Sequence, residues 1–147
     1  MQSYTSPPIA NPGLSGGFTR ADLIFYEVEH RGASFEARIF FDFEGTPDEN
    51  TPRESEQFAG SFTVFGHGGC AGDIGHCDVP PGPLDLFDRR PPHQLVPQTK
   101  TVIVTDALRR VAGDELVVSV VAVRPSADGP TTTDELSFQR IALVTYD

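Results

Sequence analysis

Between Ser34 and Phe43 the chain alternates with a period of two: Phe35, Ala37, Ile39, Phe41 and Phe43 fall on one side, Ser34, Glu36, Arg38 and Asp42 on the other. That is the pattern of a half-buried β-strand, in which successive side chains point to opposite faces, and a helix would scatter the same residues around its axis. Only Phe40 breaks the polar face. The rest of the chain must therefore supply strands to pair with this one. Five further runs have the β-branched and aromatic make-up of strands: 23–28, 58–65, 99–105, 115–124 and 136–146. Gly60 inside the second of these marks a bulge or a point of close contact.

The connections are equally legible. His30-Arg31-Gly32-Ala33 reads as a polar turn that leaves His30 solvated, and 45–56, with Pro47, Pro52 and several acidic residues, reads as a solvated surface loop. Asp106 is placed to cap one helical turn at 107–110, with Gly113 as its stop. Six strands, one helical turn and no amphipathic helix of useful length give an all-β fold, an antiparallel β-sandwich of six to seven strands. Its core is expected from Phe35, Ile39, Phe41, Phe62, Val64, Val118, Val120, Phe138 and Ala142 or their opposite-face neighbours. Residues 1–18, rich in Pro, Ser, Gly and Asn, have little to bury and form a flexible or draped N-terminal arm, leaving 19–147 as a single sandwich domain.

Composition bounds the function. With 147 residues, 38% of them hydrophobic and eleven Phe, there is material for one packed core. A formal charge of −10 repels phosphate backbones and anionic bilayers, so nucleic acid and membrane are excluded as partners. No apolar run approaches the roughly 20 residues of a membrane span, and nothing near Met1 pairs a basic segment with an apolar one. The expectation is a soluble protein whose chain carries no export signal.

One stretch concentrates the chemistry. Residues 66–78 hold both cysteines, His67 and His76, and five glycines that allow the backbone close to a bound group. Two readings stand side by side. In the first, His67, Cys70, His76 and Cys77 form an N₂S₂ set suited to zinc, or a softer subset suited to Cu(I). Because the side chains of the adjacent His76 and Cys77 diverge, one of them gives way to Asp73, Asp78 or His93 as an additional ligand. In the second, Cys70 and Cys77 close a disulfide, worth about 2.5 kcal/mol on the chain-entropy estimate. A cysteine nucleophile activated by His67 or His76 is a further candidate, but no oxyanion-hole element or orienting third residue accompanies it. The stretch opens a long irregular excursion that runs through six prolines to Pro97, a length that marks functional or disordered loops.

The order of these elements resembles a known family. Phe58-Ala59-Gly60-Ser61-Phe62-Thr63-Val64-Phe65-Gly66, a glycine-rich excursion, Thr101-Val102-Ile103-Val104-Thr105-Asp106-Ala107-Leu108 and the strand 115–124 ending at Pro125 are similar to the C-terminal β-sandwich domain of tyrosinases and polyphenol oxidases. The resemblance covers most of 21–147. It implies a non-catalytic accessory domain that docks onto, or shields, a helical type-3 copper domain. The copper pair of those enzymes is held by six histidines on a helical bundle, whereas this chain has four, His30, His67, His76 and His93, and no helices to present them. Any phenol oxidase activity would thus lie on another domain or chain. The alternatives are a free-standing metal-binding or protein-interaction sandwich and a small cysteine-dependent enzyme.

Overall fold

The alternating segment becomes β4 (Phe35–Phe41), a strand hydrogen-bonded on both sides. The computed structural model describes residues 1–68, 86–87 and 95–147. On one side of β4 lies β5 (Phe58–Val64), on the other β8 (Val118–Ser126), whose outer edge takes both β1 (Ser3–Thr5) and β9 (Gly129–Thr132). A second sheet has the order β10-β3-β6, built from β3 (Arg20–Val28), β6 (Gln98–Ile103) and β10 (Arg140–Tyr146). A minimal ladder joins β2 (Ile9–Ala10) to β7 (Glu115–Leu116). All these pairings are antiparallel. The expected β-sandwich is therefore present; its six long strands are those read from the sequence, and β1, β2, β7 and β9 are short additions.

The two sheets bury one apolar cluster. Ala21, Leu23 and Phe25 from β3 meet Ala37 and Ile39 from β4, Phe62 and Val64 from β5, and Val118, Val120 and Ala122 from β8. Phe25 sits at its centre, its ring 4.9 Å from that of Phe62 and 5.2 Å from that of Phe138. Each of the larger side chains, Val, Leu, Ile or Phe, stabilises the fold by about 1.5–3 kcal/mol when fully removed from water. Of the expected core, Phe138 packs against the cluster while partly buried, and Ala142 belongs to the other face of β10, where Ile141 and Leu143 take the core positions. The shift follows from the strand beginning at Arg140 instead of Leu136.

Gly60 has φ +147° and opposes a register shift between Ile39 and Phe40. A Cβ there would lie 2.8 Å from Val102 Cγ1 of the other sheet. It is both the expected bulge and the point where β5 crosses close to β6, which only a residue without a side chain allows.

Two local expectations are corrected. Phe40 is fully buried, because 42–57 is not a merely solvated loop: it folds over the outer face of β4, where Phe43 and Phe58 close with Phe40, Val121 and Val123 into a second cluster. Arg38 donates to Glu49 O at 3.0 Å and Arg53 to Glu36 Oε2 at 2.6 Å, tying the loop down. Burial alone would raise the Glu36 carboxyl, but hydrogen bonds from Ser61 and Arg38 and the charges of Arg53 and Arg38 outweigh it and hold the group below its ordinary range.

The helix, α1 (Thr105–Arg110), starts two residues earlier than expected, with Val104 at its cap and no side-chain cap bond. Asp106 lies in its first turn, and Thr105 Oγ1 instead accepts from Ala21 N at 3.0 Å. The N-terminal arm is draped: β1 pairs with β8, and the Met1 ammonium donates to Asp134 O at 2.7 Å and Leu136 O at 2.9 Å.

Candidate functional site

The site is built where three segments meet: the β3–β4 turn, the exit of β5 and the residues entering β6. Its first component depends on a backbone irregularity. Along the first part of β3 the apolar side chains in the core are Ala21, Leu23 and Phe25, but the register with β6 slips between Phe25 and Val28, and Glu27 adopts φ +55°. The slip reverses the parity of the strand, so Val28 and then His30 turn inward. His30 is thereby 7% exposed, not the solvated turn residue that its polar surroundings in sequence suggest.

Burial has fixed the chemistry of this imidazole. Its Nε2 lies 2.8 Å from Val96 O. A carbonyl oxygen only accepts, so Nε2 carries a proton, and in the neutral imidazole the lone pair is on Nδ1. That Nδ1 is itself buried and has no hydrogen-bond partner among the described residues.

The second component arrives from β5. Gly66 N donates to Ser34 Oγ at 2.9 Å, His67 N to His30 O at 2.9 Å and Gly68 N to Gly32 O at 2.6 Å, so the chain leaving β5 is laced to the turn. A Cβ on Gly66 would collide with the backbone of Gly32 and Ala33, which cannot move aside as a side-chain tip would. This approach brings the His67 ring to 5.1 Å from that of His30, centre to centre, with the planes at 78°. The Phe65 ring stands 6.0 Å from that of His67, centre to centre, and Phe65 is 79% exposed.

The third component is 95–96. Leu95 is buried and its carbonyl accepts from Arg31 at 3.3 Å, while Val96 offers its carbonyl to His30 and exposes 57% of itself. Both described ends of the excursion are therefore fastened to residues 30–34. Beside them a cavity of about 350 Å³ is lined by Glu29, His30, Arg31 and Glu135, with the Glu135 carboxylate lying against Gly32 where a side chain would stand.

Of the residues singled out from the sequence, the structure places His67 in this site and adds His30, which sequence reasoning set aside. Cys70, Asp73, His76, Cys77, Asp78 and His93 lie outside the described residues, and with them the metal, disulfide and thiol readings of the excursion. Among the described residues no three ligating side chains cluster. No described helix is long and apolar enough to cross a membrane.

No protein-family model and no curated protein matches the chain. Solved structures do. A latent aurone synthase (polyphenol oxidase) from natural source superposes with a TM-score of 0.54 over 99% of this chain at 13% identity. A recombinantly expressed latent aurone synthase (polyphenol oxidase) does so with 0.50 over 99% at 14%. At such identity the likeness is one of fold. This chain spans about a quarter of the length of those proteins, 24% and 25% respectively.

Proposed function

We propose that this sandwich is a non-catalytic accessory domain that docks onto, and shields, a helical type-3 copper domain carried on another segment or another chain. The observation that carries the reading is the coverage: nearly the whole of this chain corresponds to about one quarter of a polyphenol oxidase chain, so the matched unit is a part alongside a larger whole. The motifs around Phe58-Ala59-Gly60-Ser61 and Thr105-Asp106-Ala107-Leu108 support reading the matched quarter as the sandwich that follows the catalytic domain of that family. What supports a docking face where the β3–β4 turn meets the exit of β5 is its composition: Phe65 and Val96 expose apolar surface beside a turn that is hydrogen-bonded to two other segments. Exposed apolar side chains on a pre-organised frame suit a protein partner.

The proposal also assigns the excursion a metal-binding role through His67, Cys70, His76 and Cys77, with Asp73, Asp78 and His93 as further donors and copper or zinc as the ion. A Cys70–Cys77 disulfide is the competing arrangement of the same loop. Docking does not depend on which is present.

The test of docking uses a six-histidine type-3 copper domain encoded with this chain or beside it. Mixed with the sandwich, it is expected to co-elute as a complex and to oxidise a catechol more slowly. Phe65→Asp and Val96→Asp together should weaken both effects. An unchanged rate and separate elution would overturn the reading.

A further inference from the structure

We infer that His30, through Nδ1, and His67 are two ligands of one transition-metal ion, of the borderline to soft class represented by Zn²⁺ and Cu(I). The inference rests on the metal reading of the excursion and is independent of docking; it moves the anchor of that site from the glycine-rich stretch to a buried residue in the β3–β4 turn.

Three observations carry it. First, His30 is buried and its Nδ1 lone pair meets no donor among the described residues. A buried acceptor left so in a well-packed interior calls for a partner, and a cation is the kind of partner a lone pair takes without a proton. Second, the opposite nitrogen donates to Val96 O at 2.8 Å. Ligating histidines almost always donate their other N–H to a carbonyl or carboxylate, which fixes the tautomer and makes the ligating nitrogen more basic. Third, the spacing fits. With metal–nitrogen bonds of about 2.0–2.1 Å and tetrahedral angles, two imidazoles on one ion place their ring centres roughly 5 Å apart. The observed separation is 5.1 Å.

Other features carry less. The cleft beside Val123, Pro125 and Pro130 has arginines on its rim, but Glu36 already occupies Arg38 and Arg53. The outward face of β3 and β10 is half-apolar, yet nothing identifies what would cover it.

The test is a calorimetric titration of Zn²⁺ into the full chain, reduced and stripped of metal. One-site binding is expected, weakened at least about tenfold by His30→Gln and by His67→Ala. His30→Gln keeps an N–H for Val96 O while replacing the basic imidazole nitrogen with a weakly ligating amide oxygen, so an unchanged melting temperature of the metal-free variant shows that only the ligand was lost. A second measurement needs no variant: saturating Zn²⁺ should move the His30 Nδ1 resonance in ¹⁵N spectra. The inference is overturned if His30→Gln binds zinc as tightly as the parent, if the parent takes up no zinc, or if Nδ1 does not move at saturation, as when only a water satisfies it. Failure of docking with zinc binding intact would sink the accessory-domain reading alone.

Discussion

The imidazoles of His30 and His67, 37 residues apart in the chain, stand edge to face with their centres 5.1 Å apart, and the backbone of one donates to the carbonyl of the other at 2.9 Å. This pairing joins the β3–β4 turn to the exit of β5. It fixes where the excursion leaves the sandwich, and the carbonyl of Val96 fixes where it returns.

The pairing depends on glycine at 66. Gly66→Ala should loosen the corner, because the new methyl group meets the backbone of Gly32 and Ala33 and neither can give way. The expected result is faster amide exchange at His67 and Gly68 with exchange in the centre of β4 unchanged. Uniform protection in the variant would show that the corner has room the distances deny.

The two-sheet core predicts its own mutational costs. Ile39→Ala and Phe62→Ala remove side chains at 0% and 8% exposure from the same cluster, and each should destabilise the protein by about 2–5 kcal/mol in denaturant titrations. Phe40→Ala should cost about 3–5 kcal/mol although its side chain points away from that core, since the 42–57 loop buries it completely. A cost under about 1 kcal/mol at Phe40, the range of an ordinary surface change, would mean that the loop does not cover the sheet.

Phe40 also shows how far the sequence could be read. The period of two over 34–43 was sufficient for β4, its inner face and the sandwich, because a single buried face imposes that alternation directly. The interruption at Phe40 was visible, but its cause lies in a loop whose prolines and acids look like solvent-facing residues; Arg53 and Thr51 reveal the packing only when folded against Glu36 and Asp48.

His30 escaped for a related reason. Counted in steps of two from Phe25, the inward positions of β3 would be Glu27 and Glu29, and His30 would face water. The reversal at Glu27 is a non-glycine residue with φ +55°, for which no local residue preference gives a signal. His67 was identified through its neighbours in the glycine-rich stretch, whereas its partner in space was not.

The outer face of β4 predicts a pH dependence. The Glu36 carboxyl is held below its ordinary value of 4.5 by Ser61, Arg38 and Arg53, which outweigh its burial. A carboxyl with a lowered folded value stabilises the protein above its unfolded range, and that stability is lost as pH falls through the folded value. Unfolding free energy should therefore decline from about pH 4.5 downward, and Glu36→Gln should flatten part of this decline while lowering stability at neutral pH. An identical acid limb in the variant would assign the decline to other carboxylates.

Gly60 tests the contact between the sheets. At φ +147°, with Val102 Cγ1 at 2.8 Å from a Cβ position, Gly60→Ala combines backbone strain with a clash. A loss of more than about 1 kcal/mol is expected in thermal or denaturant unfolding. Val102→Ala should recover part of it by clearing the space, and the absence of any recovery would separate the strain from the contact.

The claim on which the site rests is the state of His30 in the metal-free protein, and long-range ¹H–¹⁵N correlation of the histidine rings reads it directly. The predicted spectrum has the His30 proton on Nε2, protected from exchange by the bond to Val96 O, with Nδ1 carrying a lone pair and no proton. A proton on Nδ1, or the averaged pattern of an imidazole exchanging its tautomers in water, would contradict the account.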